Sequence, residues 1–466
     1  MFANTSILRD AMRSHRPTCA VLTDEGIFWP LTDYFRRRNF SLSSEIGYAS
    51  AVARAMNWTS ARGAETIATA ERKADLFGKF VHEISSGTVV DGADPSGLWW
   101  SPASAKTAIL IGSRVAEFGD WLALARDEAP INPRDRAASG VEARRMISAF
   151  SKSKSTSLLG HAKSLEGARV DARLTRQVSA PQKSFATLPE IAAFPVEKVH
   201  DLLFEGFEIE RHRLDARRWI RYKVRDMLIT LICLYGGCRM SEPMHLWLDD
   251  VFISPANADS CKLLIHHPEE GLADFLDPST GRWTTANRLE YLARCCAGKR
   301  PLTLETGRRR AGWKGCLLTN AQRRAFEVFW IDPKAGELFR ELWELYLTKC
   351  RPPQQNTPWA FLTKDGQPMG TAAYADSLRA AVRKIGLVAG KWEGTTPHGL
   401  RHRYGQWLNE LCVDDKKGQI AMHHTHPDSQ KAYRQTTSAD VAAELAAKSG
   451  AAPLLRLPSQ GGLNGR

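Results

Sequence analysis

Three side-chain types suited to work on a phosphate fall within one stretch near the C-terminal end of the chain. It begins Pro397-His398-Gly399-Leu400-Arg401-His402, continues to His423-His424-Thr425-His426, and is followed nine residues after His424 by Tyr433. A guanidinium binds a phosphate through two parallel hydrogen bonds. An imidazole can hydrogen-bond the same group or move a proton, and a phenol oxygen can attack phosphorus. Together they suggest metal-free chemistry on a nucleic-acid backbone.

These residues need an element to hold them. Thr395-Thr396-Pro397 supplies a hydroxyl cap and a proline suited to a first helical turn. Leu400, Tyr404, Trp407, Leu408 and Leu411 then recur at helical spacing and form one apolar stripe. His398 and Arg401 fall at the start of that helix, where unpaired N–H groups and the helix dipole favour an anion. Pairing with a carboxylate is the plainer reading of Arg401 alone. A second arginine changes the balance: Gly236-Gly237-Cys238-Arg239-Met240-Ser241-Glu242-Pro243 places Arg239 directly after a glycine turn. An arginine in such a tight neighbourhood needs a partner. Glu242 fits, either as a structural pair or as the group that holds Arg239 against a ligand.

Gly-Gly-Cys-Arg-Met-Ser-Glu, followed by Leu246-Trp247-Leu248-Asp249-Asp250-Val251, resembles the first active-site box of the tyrosine recombinases, the phage integrase family. His398-Gly399-Leu400-Arg401-His402 resembles the second box. Ile420-Ala421-Met422-His423-His424, with Tyr433 nine residues on, resembles the third. The step of 23 residues from Arg401 to His424 also suits the family. The resemblance implies that Arg239 and Arg401 hold the non-bridging oxygens of a scissile phosphate and that His424 donates to them. His398 would assist proton handling, and Tyr433 would form a 3′-phosphotyrosine, releasing a 5′-hydroxyl. It implies no cofactor and no metal. The partner would be double-stranded DNA recombination sites, bound as a homotetramer, with accessory DNA-bending or element-encoded proteins. The sequence departs from the family in having His423-His424 where Gly-His is usual, which adds bulk and a second donor beside the phosphate. The family's leaving-group lysine sits on a β-turn; Lys314, in Gly312-Trp313-Lys314-Gly315, is the best match, with Lys262, Lys299 and Lys334 as rivals.

The expected fold class is mainly α with a small antiparallel β-sheet. Residues 1–27 read as an N-terminal lead or arm. Residues 28–133 read as a helical domain, with Ala108, Ile111, Val115, Phe118, Leu122 and Ala125 recurring at spacings of three and four; by resemblance it is a core-DNA-binding clamp. Residues 134–193 read as a linker rich in Ser, Ala, Arg and Lys. Residues 194–445 form the catalytic domain, with short strands at 251–253, 262–265 and 325–331 and a polar insert at about 269–324. Residues 438–449 suit a short docking helix, and 446–466 a tail. Within the insert, Lys299, Arg300, Arg308, Arg309, Arg310, Arg323 and Arg324 suit a DNA-facing ribbon, each phosphate contact adding to the salt dependence of binding.

Composition sets the frame. With 466 residues, 43% hydrophobic and 25% charged, the chain suits a soluble protein of two or three domains. A net charge of +13 allows a polyanionic partner without requiring one. Nine cysteines without a CxxC pair suit reduced structural thiols. No apolar run long enough to span a bilayer and no signal peptide is seen, so a cytoplasmic, nucleoid-associated protein and no membrane partner are expected. Two other classes compete. His398, His402, His423, His424 and His426 are dense enough to suggest a zinc-dependent hydrolase, although Arg401 would repel the metal. A non-catalytic DNA-binding protein of the same fold fits the charge equally well.

Overall fold

The computed structural model describes residues 3–9, 17–62, 70–156, 164–178, 192–353, 357–426 and 429. The chain divides into two compact units, Met1–Thr187 and Leu188–Arg466. Among the described residues the architecture is mainly helical with four small antiparallel sheets. No helix among them is long and apolar enough to cross a membrane.

The first unit starts with a sheet where a lead or arm was expected. Strands β1 (Asn4–Arg9), β2 (Pro17–Thr23) and β3 (Gly26–Ile27) pair in sequence order. Cys19, Ala20 and Val21 of β2 are buried, and Cys19 and Val21 cluster with residues of helices α1 (Trp29–Arg38) and α2 (Leu42–Ala61). The Glu45 carboxylate of α2 accepts hydrogen bonds from the Cys19 amide and the Thr18 hydroxyl, both at 2.9 Å, so the sheet is tied down by a buried acceptor. Helices α3 (Ala70–Ser86) and α4 (Ala105–Arg126) complete the helical part. The Ser104 hydroxyl caps α4 by accepting from Thr107 N at 3.2 Å. Ala108, Ile111, Val115 and Phe118 of its apolar stripe are buried.

The first part of the expected linker is folded. Strands β4 (Arg136–Ala137) and β5 (Leu174–Thr175) pair across helices α5 (Gly140–Thr156) and α6 (Leu165–Asp171). The Asn132 side chain bonds the Val178 backbone in both directions, and Arg176 pairs with Asp120 of α4 at 2.6 Å. These polar ties substitute for the large apolar residues the segment lacks. Residues 157–163 and 179–191 lie outside the described residues.

In the second unit, two short helical turns, α7 (Val199–Asp201) and α8 (Arg218–Arg221), precede α9 (Val224–Leu234). Between α8 and α9 the helical path breaks at Tyr222, which bridges to Glu208. Helix α9 is buried from Asp226 to Leu234 and forms the axis of the core. Strands β6 (Val251–Ile253), β7 (Cys261–His266) and β10 (Ala325–Glu327) make one sheet in the order β10-β7-β6. The third strand is shorter than its expected span. Between β7 and β10 the insert is structured, with a hairpin β8 (Leu272–Leu276) and β9 (Trp283–Asn287) followed by α10 (Arg288–Cys295). Helices α11 (Pro333–Leu345), α12 (Thr371–Lys384), α13 (Pro397–Glu410) and α14 (Asp415–Ala421) follow. All nine cysteines are free.

Candidate active site

The end of α9 delivers the first arginine. Gly237 has φ +65°, and a Cβ there would lie 2.6 Å from the Tyr404 ring of α13, so this turn needs glycine. Arg239 follows. Its amide donates to Glu242 Oε2 at 2.6 Å and its Nη1 to Glu242 Oε1 at 2.7 Å. The Arg239 side chain keeps 19% of its surface exposed, whereas Glu242 is buried.

Helix α13 delivers the second. Thr396 caps it by accepting from Gly399 N at 3.4 Å, and Pro397 occupies the first turn. Gly399 is required because the Gly394 carbonyl occupies the space a Cβ would take. Arg401, one turn in, is fully buried. It donates to the Gly237 carbonyl, to Met422 O at 2.6 Å and to His424 Nε2 at 2.9 Å, and lies 4.0 Å from Glu242. Arg401 thus joins the three motifs: box one through Gly237 and Glu242, box three through Met422 and His424. Since Nε2 of His424 accepts, its ring proton is assigned to Nδ1. The His424 backbone is held at both ends by Gln419, at 3.0 Å and 2.9 Å.

His423 has φ +54°, which explains why glycine is the simpler residue at this position. Its imidazole is buried and stacks on Phe326 of β10 with centroids 3.9 Å apart. Nδ1 donates to Ile420 O at 3.2 Å, and Nε2 lies 3.9 Å from Cys238 Sγ. Its ring nitrogens face these groups, so the added bulk fills the core behind His424 and places no second donor beside Arg401.

His398 sits at the exposed start of α13, with its ring edge-on to His402 at 4.3 Å. Partial desolvation, then the charges of Arg401, Lys314, Lys391 and Arg239, lower its pKa to about 4. Lys314 therefore lies within electrostatic reach of the histidine. Its rivals are placed differently: Lys262 pairs with Glu327 at 2.7 Å, Lys299 bonds Gln367 at 3.1 Å, and Lys334 is exposed at the start of α11. Lys391 was not singled out from the sequence. Its position seven residues before His398, in the turn leading into α13, was the available signal.

The arginines of the insert are paired with carboxylates, Arg323 with one on the hairpin strand β8. Arg300 and Arg309 share Glu305, Arg308 pairs with Asp376, Arg323 with Asp274 and Arg324 with Glu270. Arg310 is half-buried, and desolvation lowers its pKa. Exposed pairs of this kind contribute little to stability and are open to competition by phosphate. Among the described residues no three His, Cys, Asp or Glu side chains are grouped to hold a metal ion. Tyr433 lies outside the described residues, as do residues 438–449 and the tail.

Burial makes the site's histidines neutral. Desolvation first, then neighbouring cations, lowers His424 and His402 to about 3, with His398 also acting on His402. His423 is well below its usual value for the same first cause. A histidine depressed in the folded state binds fewer protons folded than unfolded. Its contribution to stability is complete above about pH 6.5 and is lost towards the folded pKa, at about 1.4 kcal/mol per pH unit per group. Urea midpoints are therefore expected to fall steadily between about pH 6.5 and about pH 4.5. A flat midpoint across that interval would contradict the burial of these rings.

Residues 335–439 match the model of the phage integrase family. This span contains the second and third motifs. No curated protein matches the chain. Among solved structures, the chain is similar to the Tn1549 transposon integrase in complex with transposon right end DNA (13% identity, 90% of this chain, 97% of that one, TM-score 0.45). It is also similar to a lambda integrase dimer bound to a COC′ core site (11%, 88%, 95%, 0.39) and to XerA recombinase (12%, 90%, 96%, 0.34).

Proposed function

We propose that the chain is a site-specific DNA recombinase that cuts and rejoins double-stranded DNA through a 3′-phosphotyrosine on Tyr433, in the service of a mobile genetic element. The observation that carries this reading is the junction Arg401 makes between the motifs, hydrogen-bonded to Gly237, Met422 and His424, with buried Glu242 between it and Arg239. A phosphodiester gains charge on its oxygens at the transition state, and fixed guanidinium and imidazole donors stabilise that charge. Arg239 is the partly exposed guanidinium and contacts a non-bridging oxygen directly. Arg401 supplies charge from beneath and orients His424. Tyr433 attacks phosphorus as its proton passes to neutral His398, and Lys314 protonates the departing 5′-oxygen. The phosphotyrosine keeps the energy of the broken ester, so a 5′-hydroxyl rejoins the strand without ATP. Assembly is as a tetramer on two DNA sites, with accessory proteins directing exchange.

The test uses suicide duplexes drawn from the DNA flanking the chain's own coding sequence. A covalent protein–DNA adduct on a denaturing gel, unchanged by EDTA, is expected. Cutting that stops with EDTA and leaves no protein on the DNA end would overturn the reading in favour of a metal-dependent hydrolase.

A further inference from the structure

The insert, which the motifs do not use, is fastened to the site through a residue with no assigned role. His245 lies three residues after Glu242 and is 1% exposed. Its Nε2 faces the Gly312 carbonyl at 3.4 Å; since a carbonyl only accepts, Nε2 carries the proton. Trp313 packs edge-on against the rings of His245 and His267, at 5.6 Å and 5.4 Å, and stacks on Phe326 at 6.0 Å. Phe326 in turn stacks on His423, the neighbour of His424. At the far end of the same loop, Leu317 N donates to the His423 carbonyl at 3.0 Å. Lys314 and Gly315, both exposed, are thus suspended between two fixed points.

His245 is itself held. Arg288 of α10, buried to 2% exposure, donates Nη1 to the His245 carbonyl at 3.2 Å and Nη2 to Asp250. Its guanidinium lies 4.0 Å over the Trp247 ring. Asp250 also accepts from the Trp247 amide at 2.7 Å and meets His266 Nδ1 at 3.0 Å. An ionised pair with this burial is costly unless its geometry is satisfied, and here the cost is offset by five named contacts that converge under one loop.

We infer that His245 is a positioning residue: by holding the Gly312 carbonyl it fixes the loop that presents Lys314 to the departing 5′-oxygen. The inference rests on the recombinase reading, with Lys314 as proton donor. In that step the Tyr433 oxygen–phosphorus bond forms, the phosphorus–O5′ bond breaks, and the Lys314 proton ends on O5′. Sulfur in place of O5′ removes the need for the proton, because a thiol near pKa 8.5 leaves readily as the thiolate.

The experiment compares cleavage by the full chain of suicide duplexes carrying oxygen or sulfur at the bridging 5′ position. The variants are His245→Leu, which keeps volume and removes the donor, His245→Gln, which keeps a donor, and Lys314→Ala. Lys314→Ala and His245→Leu are each expected to slow the oxygen substrate about a hundredfold, the scale of general acid catalysis. Both should recover near wild-type rates with sulfur, and His245→Gln should retain much of the rate with oxygen. Recovery of Lys314→Ala without recovery of a DNA-binding His245→Leu overturns the inference and leaves the recombinase reading intact. Wild-type cleavage of the oxygen substrate by His245→Leu also overturns it. Failure of sulfur to restore Lys314→Ala removes Lys314 as the acid, and the inference with it. Should His245→Leu not hold DNA, Trp313→Leu, which loosens the same loop, decides by the same comparison.

Discussion

Tyr433→Phe is expected to bind recombination-site DNA with unchanged affinity and to form no covalent adduct with it. The substitution removes one oxygen, the atom that bonds phosphorus in the proposed step, and leaves ring, charge and chain otherwise the same. Tyr433 stands nine residues after His424, a span of at most about 30 Å fully extended, so the chain can bring its phenol back to the phosphate proposed to be held by Arg239 and His424. No partial activity should remain, because a missing nucleophile is not replaced by better positioning. Binding by gel shift and adduct by denaturing gel, on one preparation, separate the two effects. An adduct that survives the substitution would move the nucleophile to another residue.

Arg401→Ala is expected to damage both stability and cleavage. The guanidinium is fully buried and joins Gly237, Met422, His424 and Glu242. Its removal leaves two carbonyls without these donors and Glu242 with Arg239 alone, at a cost on the order of 3 kcal/mol. Cleavage should fall at least about a hundredfold in the protein that remains folded, since a preorganised charge beneath the phosphate is lost. Arg401→Lys separates the two effects: a single ammonium restores part of the stability and cannot reach all three acceptors. Urea midpoints and adduct rates of the two variants provide the check. An Arg401→Ala protein with wild-type midpoint and wild-type cleavage would contradict the central place given to this side chain.

The three motifs were legible because each is local. The helix start at Thr396-Pro397, the stripe of α13 and the glycine turn before Arg239 are all written within a few residues, and the structure brings Arg239, Glu242, Arg401 and His424 together. The stripe of α4 was legible for the same reason. What escaped depends on partners distant in sequence. Strand β2 is held by Glu45 of α2, and the polar segment 134–178 is folded by Asn132–Val178 and Arg176–Asp120. Arginine runs in the insert suggest free positive charge, yet Arg323 and Arg308 take their carboxylates from Asp274 of β8 and Asp376 of α12, 49 and 68 residues away. His423 illustrates the same limit: adjacency to His424 suggested a second donor, and its partners Phe326 and Cys238 lie 97 and 185 residues away. His245 carries no local signal of its contact with Gly312.

The most direct test of the account is the identity of the bond between protein and DNA. The adduct trapped on a suicide duplex would be digested with protease and nuclease, and the nucleotide-bearing peptide sequenced by mass spectrometry. A single modified residue is expected, Tyr433, joined to a 3′-phosphate, with a 5′-hydroxyl on the released strand. A nucleotide on any other residue, or a protein joined to the 5′ end, would contradict it.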